Sequence, residues 1–183
     1  EVNHALTDGT GTLMFLKSLV AFYLNLKYNL KNSEIINTAS TKESSTDSFK
    51  KYKTGKIKKA ISSSKIAYQI KDEKYVENRL KIIEGIAEVD KLLKLAKKYN
   101  VTITVYLTSI LIKSIGEAMD IKDRKKPIVI AIPVNLRQYY PSYTVRNFFN
   151  AVNISFQYNG ESIAKITKVV KEEFKKNLEA DNV

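Results

Sequence analysis

The chain has one histidine, His4, which stands four residues before Asp8 in the opening stretch EVNHALTDGTG, and Gly9 follows that aspartate. Histidine is the side chain that most often acts as a general base near neutral pH. On an extended segment that ends at a cleft, one ring nitrogen can meet a substrate proton while a nearby carbonyl holds the other. The pattern H-x-x-x-D-G therefore predicts base catalysis by His4, weighed against the alternative that a lone histidine near a terminus is a surface residue.

Asp8 has two candidate roles beside this histidine. Its carboxylate could orient the imidazole of His4, as in a catalytic triad, or it could pair with an arginine elsewhere and hold the loop that carries the histidine. A glycine after the aspartate allows a tight turn that aims the carboxylate away from His4, which favours the pairing with an arginine. Gly9 itself has no side chain to obstruct an approaching ligand.

A helix is predicted behind this turn, because apolar residues recur at spacings of three and four over 13–26. The residues predicted to face inward are Leu13, Leu16, Leu19, Val20, Tyr23 and Leu26. Thr10 or Thr12 is the predicted cap, and the glycines Gly9 and Gly11 permit a sharp entry into the helix. His4 is therefore expected at the end of a strand, with a buried helix behind it.

Strand and helix patterns alternate along the rest of the chain. The polar stretch 31–48 predicts a loop, and the basic stretch 49–65 is weakly helical. Strands are predicted over 65–71, 79–87, 127–137 and 147–158, the third of them covered on both faces. Helices are predicted over 88–100, from about Thr104 (its cap) to 120, and over 162–180 with Ile163, Ile166, Val169, Val170 and Phe174 inward. This order predicts an α/β fold with helices packed on a mixed sheet.

The 31 basic residues give a formal net charge of +12, which could attract a polyanion. Only Arg79, Arg124, Arg137 and Arg146 are arginines, the side chain on which base and phosphate recognition depends most. The lysines are spread along the chain and interleaved with glutamates, as in KVVKEEFKKNLE. A solvated lysine-rich surface is therefore favoured over a specific nucleic-acid partner, although the charge could help to bind a phosphorylated cofactor.

Composition also excludes several kinds of site. The chain has no cysteine, so disulfides and thiolate metal sites are excluded and a reducing, cytoplasmic location is expected. A single histidine excludes a histidine metal cluster, and no metal is expected. Lys17, Ser18 and Asn25 interrupt the apolar stretch 13–26, and no basic segment precedes it, so neither a signal peptide nor a membrane span is predicted.

The stretch NHALTDGTG, the apolar helix after it, and the later segment IPVNLRQYYPSYTVRNFFNAVNISF occur in a characteristic order. Together they resemble the acyltransferase superfamily of chloramphenicol acetyltransferase and the condensation domains of peptide synthetases, with its H-H-x-x-x-D-G motif. The alcohol-acetyltransferase-like proteins look like the closest branch, and LLKLAKKYNVTITVYLTSILIKSI is similar to the opening of their second lobe. The resemblance runs from His4 to about Lys175.

This resemblance implies two α/β lobes that face each other, with the catalytic histidine in a tunnel between them. A thioester of coenzyme A, or of the phosphopantetheine of an acyl carrier protein, would supply the acyl group, and a small alcohol or amine would accept it. His4 matches the catalytic second histidine of the motif, and Asn3 stands where the first one is found. Asp8 matches the structural aspartate, and Gly9 the glycine beside it.

Two further residues are implied more weakly. Asn150 aligns with an asparagine near the active site of condensation domains, where it could contact the tetrahedral oxyanion. Arg137 could hold the loop or meet an anionic ligand, or it could be a surface arginine at a strand end.

The family's elements before the histidine motif and after the last helix are absent. The resemblance therefore implies the end of an N-terminal lobe over 1–78 and part of a C-terminal lobe over 79–183. Such a piece is expected to be inactive alone. The alternative is a catalytically silent, condensation-like module that binds an acyl carrier or a peptide, and the oligomeric state is open.

Overall fold

The fold combines helices with a two-stranded antiparallel sheet, in a computed structural model that describes residues 2–29, 40–53, 66–71, 77, 79 and 81–178. The helices are α1 Gly9–Tyr28, α2 Thr41–Ser45, α3 Ser48–Tyr52, α4 Val89–Lys98, α5 Ile103–Ala118 and α6 Ile163–Asn177, and the strands are β1 Ile128–Asn135 and β2 Phe149–Phe156. The prediction of mixed helix and strand is confirmed at this level. The chain divides into two units. The first unit consists of Glu1–Ala60 and Pro133–Ala151, and the second unit consists of Ile61–Ile132 and Val152–Val183.

Helix α1 of the first unit covers the predicted helix, but its cap and its exposure differ from the prediction. Asp8 caps it, and Thr10 and Thr12 lie within its first turn. The six apolar residues predicted to face inward are 45% to 88% exposed, whereas Gly11 and Ala21 are buried. Because apolar side chains lie on nearly every side of α1, their spacing could not identify the face in contact. Helix α1 packs closely against the backbone of Val145 at Gly11, a residue that has no side chain to keep the two apart.

The described part of the predicted loop contains structure of its own, since α2 and the start of α3 lie within 40–48. Ser40 and Glu43 form a capping box on α2. Ser48 bonds Ser142 through their hydroxyls at 2.6 Å, and Thr144 donates to the carbonyl of Thr46 at 2.7 Å. These bonds fasten α2 and α3 to the segment before β2. Residues 31–39 and 54–65 of the two predicted stretches lie outside the described residues.

The second unit has its core between α5, α6 and the inner part of the strands. Its most buried apolar side chains are Ile112, Ile154, Ile166 and Val170. The cap of helix α5 lies two residues before the predicted one, because the hydroxyl of Thr102, not that of Thr104, accepts from the N–H of Val105.

Helix α6 confirms most of its predicted inward face. Ile166, Val170 and Phe174 are buried, whereas Ile163 is half-buried and Val169 is 38% exposed. Two of the predicted residues therefore lie at the edge of the contact. The buried hydroxyl of Thr167, which the apolar pattern omits, donates to the carbonyl of Ile163 at 2.7 Å.

Two of the four predicted strands are present. In β2 the residues Val152, Ile154 and Phe156 alternate with exposed neighbours, as a strand with one packed face requires. Strand β1 is not covered on both faces, since Ala131 and Pro133 are exposed and its one partner among the described residues is β2.

The described residues of the other two predicted strands, 66–71 and 81–87, form no strand. Tyr68 donates one backbone bond to the carbonyl of Pro127, and Ile82, Ile83 and Ile86 are exposed. A β-rich composition forms a strand only with a pairing partner, and neither segment has one in the part of the chain that is described.

Candidate active site

His4 lies in a tight turn of the first unit, not at the end of a strand as predicted. The carbonyl of Asn3 accepts from the N–H of Leu6 at 3.0 Å, and its side-chain oxygen accepts from the N–H of Ala5 at 2.9 Å. An asparagine that bonds the backbone two residues on is a standard way to fix a turn. Asn3, at the position of the motif's first histidine, thus shapes the turn that carries the exposed imidazole.

Two residues of the segment around β2 hold His4 from outside the turn. The Nδ2 atom of Asn147 donates to the carbonyl of His4 at 2.9 Å. The ring of Phe149 meets the imidazole edge-to-face, with centroids 5.5 Å apart. No carbonyl holds a ring nitrogen of His4 in the described part of the chain, so the tautomer control predicted from the sequence is not seen there.

Asp8 does not bond His4; it pairs with Arg137, as the glycine after it predicted. The Oδ2 atom of Asp8 lies 2.8 Å from Nη1 of Arg137 and accepts from the N–H of Phe148 at 2.9 Å. Its Oδ1 atom accepts from the N–H of Gly11 at 2.9 Å. The carboxylate therefore caps α1 and joins it to the segment between β1 and β2. Since the side chains of Asp8 and Arg137 are only 8% and 10% exposed, this is a buried ion pair.

The surroundings of Asp8 favour its charged form. Burial by itself would raise the pKa of Asp8, but the hydrogen bonds from Arg137 and from the N–H groups of Gly11 and Phe148 outweigh it. The pKa of Asp8 therefore lies below its ordinary value. A carboxylate of this kind is ionised across the physiological range and serves as a support, not as an acid.

Arg137 spreads its guanidinium over several acceptors besides Asp8. Nη2 donates to the carbonyls of Thr144 and Arg146 at 2.9 and 2.7 Å, and Nε donates to that of Thr144 at 3.2 Å. Nη1 also reaches Oδ1 of Asn135 at 3.1 Å. These bonds hold the guanidinium on the loop between the strands, and its bond to Asp8 joins that loop to the start of α1.

Two cavities border His4. The first, the Asn135 cavity, has a volume of about 340 Å³ and is lined by His4, Asp8, Gly9, Thr10, Pro133, Val134, Asn135 and Phe149. The second, the Leu13 cavity, has a volume of about 320 Å³ and is lined by Val2, His4, Thr7, Asp8, Gly9, Thr12, Leu13 and Leu16. His4 thus faces space on two sides. Gly9 lines both cavities, and a Cβ atom placed on it would meet no atom within 4 Å, so the space beside the histidine is open.

No protein-family model matches the chain, and no curated protein or solved structure is significantly similar to it. The relationship to acyltransferases therefore stays a prediction from the sequence. Among the described residues, no single helix is long and apolar enough to cross a membrane; α4 and α5 meet that test only as a pair, across an 82° bend.

A third cavity of the first unit, the Phe15 cavity, is larger and mostly apolar. It has a volume of about 720 Å³ and is lined by Val2, Asn3, Leu6, Thr7, Gly11, Thr12, Met14, Phe15, Ser18 and Val145. Thr7 and Thr12 line both this cavity and the Leu13 cavity. The described residues include no group of three or more metal-binding side chains.

The resemblance points to Asn150, but the structure places two other asparagines, Asn135 and Asn147, beside His4. Asn150 is exposed, and its Oδ1 atom accepts from the N–H of Ala151 at 2.8 Å. Asn147 holds the backbone of His4, and Asn135 lines a cavity with it. Both asparagines stand in or beside an otherwise apolar strand, Asn135 in PVNLR and Asn147 in RNFFN. A polar residue at such a position is the sequence signal that could have identified them.

Proposed function

We propose that His4 is the general base of an acyltransferase, which moves an acyl group from a thioester to an alcohol or amine. The single observation that carries this proposal is that His4 stands between two cavities of similar size, one for each substrate of such a reaction. The resemblance of the H-x-x-x-D-G turn and the PVNLR segment to the acyltransferase superfamily supports the same assignment. The two-lobe fold of that superfamily is part of the proposal.

In the proposed reaction, a ring nitrogen of His4 takes the proton of the acceptor as its oxygen or nitrogen attacks the thioester carbonyl. The tetrahedral intermediate then collapses, the carbon–sulfur bond breaks, and the leaving thiolate takes the proton back from the imidazolium. No covalent bond to the protein is needed. Asp8 takes no part in proton transfer, because its carboxylate is directed at Arg137 and the start of α1.

The proposed donor is coenzyme A or the phosphopantetheine of an acyl carrier protein. The apolar lining of the Leu13 cavity suits an acyl chain or the pantetheine arm, since both bury methylene groups. The Asn135 cavity offers polar groups beside the histidine and suits the hydroxyl or amine of the acceptor and the carbonyl that it attacks. The surplus of lysines supports a donor that carries phosphates.

Thiol release from a panel of acyl-coenzyme A thioesters, in the presence of small alcohols and amines, tests the proposal on the protein at its natural full length. His4→Ala should lower turnover by about 10²- to 10⁴-fold, as expected for the loss of a general base. Lys17→Ala is the matched control, because Lys17 is exposed on α1 and lines none of the three cavities. Unchanged turnover in His4→Ala would contradict the base assignment.

A silent module that binds an acyl carrier is the second candidate, and the exposed imidazole without a bond to its ring nitrogens in the described residues favours it. For that function, the protein should bind an acyl-phosphopantetheine carrier without consuming the thioester. His4→Ala should then leave the dissociation constant unchanged.

A further inference from the structure

Thr10 is the second residue of α1, is half-buried, and lines the Asn135 cavity together with His4. Its Oγ1 atom accepts a hydrogen bond from Nδ2 of Asn135 at 3.1 Å. The orientation of that amide is determined by Arg137, because Oδ1 of Asn135 accepts from both the backbone N–H and Nη1 of Arg137, each at 3.1 Å. Asn135 therefore presents its donor atom to Thr10.

Because the Oγ1 atom of Thr10 is the acceptor in this bond, its hydroxyl hydrogen remains available to donate a second hydrogen bond. Threonines farther inside helices of this chain donate to the carbonyl four residues earlier, as Thr108 does to Thr104 at 2.8 Å and Thr167 to Ile163 at 2.7 Å. Thr10 lies too close to the start of α1 for this, since the residue four positions before it belongs to the turn. Within the described residues, its hydroxyl hydrogen has no acceptor.

We infer that the Thr10 hydroxyl donates a hydrogen bond to the acyl carbonyl oxygen in the Asn135 cavity; this assignment rests on the proposed acyltransferase function. When the acceptor attacks, the electrons of the carbonyl double bond move to that oxygen, and the hydroxyl of Thr10 stabilises the negative charge. The charge returns to the carbon–oxygen double bond as the thiolate leaves. Thr10 is thereby the oxyanion donor, and His4 is the base on the same cavity.

The relay behind Thr10 strengthens this donor. Arg137 donates to Asn135, and Asn135 donates to Thr10, so each bond polarises the next. These bonds hold the Thr10 hydroxyl in place before the reaction, which is the condition for efficient stabilisation of a transient charge.

Steady-state kinetics of Thr10→Val in the full-length protein test the inference. This variant keeps the shape of threonine and loses the hydroxyl, so kcat should fall about 10²- to 10³-fold with little change in KM. Thr10→Ser, which retains the hydroxyl, should stay within a few-fold of the wild type. Thr104→Val is the matched control, because Thr104 is also the second residue of a helix, α5, but is exposed and lines none of the three cavities. Wild-type kcat in Thr10→Val, while His4→Ala is inactive, would overturn the oxyanion assignment and leave the proposed function standing.

A spectroscopic measurement tests the hydrogen bond between Thr10 and the acyl carbonyl oxygen without any need for turnover. The carbonyl stretch of acetyl-coenzyme A labelled with carbon-13 at the carbonyl should move to lower frequency on binding to the wild type and to Thr10→Ser, and this shift should disappear in Thr10→Val. The same frequency in all three proteins would overturn the inference even if the thioester is never consumed. If the label does not bind to the wild type, the inference fails for a coenzyme A donor, whereas the proposed function is decided separately by the turnover of His4→Ala.

Discussion

Asn147 donates a hydrogen bond to the carbonyl of His4 at 2.9 Å, although 143 residues separate them in sequence. Asn147→Ala removes this bond and frees the histidine turn, so we expect turnover to fall about 10- to 100-fold through misplacement of the base. The free energy of unfolding should decrease by only about 1 kcal/mol. Asn150→Ala is the control in the same segment, and its kinetics and denaturant midpoint should match those of the wild type. Equal losses in the two variants would contradict a specific role for Asn147.

Asp8→Asn leaves the guanidinium of Arg137 buried without its counter-charge. We expect the free energy of unfolding at pH 7 to fall by about 3–5 kcal/mol, the usual cost of breaking a buried pair. Asp120→Asn removes a carboxylate from a largely exposed pair with Lys122 and should cost about 1 kcal/mol or less. Urea titration of both variants measures the difference, and similar midpoints would show that the Asp8 pair does not stabilise the fold.

The ion pair between Asp8 and Arg137 also predicts that the free energy of unfolding depends on pH. Because the folded pKa of Asp8 lies below its ordinary value of 3.8, its contribution is complete above that pH. It is lost as the pH falls through the lower folded value, where the carboxylate takes up a proton. The stability gap between wild type and Asp8→Asn should therefore be constant from pH 7 down to about 5 and narrow below about 3.8. A gap that is unchanged at pH 2 to 3 would be inconsistent with this assignment.

Arg137→Lys keeps the positive charge but loses the planar fork that reaches acceptors on several sides. A lysine ammonium cannot meet Asp8, Thr144 and Arg146 together, so we expect a loss of about 2–3 kcal/mol in the free energy of unfolding. Arg79→Lys is the control, because the pair of Arg79 with Glu77 is mostly exposed. Thermal melts of the two variants should differ by several degrees, and coincident melts would argue against this network.

Gly9 and Gly11 stand two residues apart on α1 and should respond differently to alanine. A Cβ atom on Gly11 would overlap the hydroxyl of Thr7 and the carbonyl of Val145, so Gly11→Ala should destabilise the protein by about 1–3 kcal/mol or more. Gly9→Ala meets no atom and should be neutral or slightly stabilising, while its methyl group enters both cavities beside His4 and lowers turnover. Full activity in a stable Gly9→Ala protein would show that no ligand approaches the histidine there.

Local signals in the sequence were sufficient for part of this arrangement. The apolar spacing predicted α1 and α6, and the glycine after Asp8 predicted that its carboxylate would pair with an arginine. The contacts of Asn135 and Asn147 were not predictable in this way, because they join segments more than a hundred residues apart and periodicity carries only local information. The stretch 79–87 shows the opposite case. Its composition favours a strand, but among the described residues no neighbouring segment pairs with it.

The support of Asp8 comes from Arg137 and from the N–H of Phe148, which lie 129 and 140 positions later in the chain. Contacts between such distant positions must offset the entropy of closing the intervening loop. During synthesis, His4 is therefore made long before the groups that complete its surroundings. The nascent chain carries His4 without its final surroundings until residues 137–148 have been synthesised and have folded against Asp8.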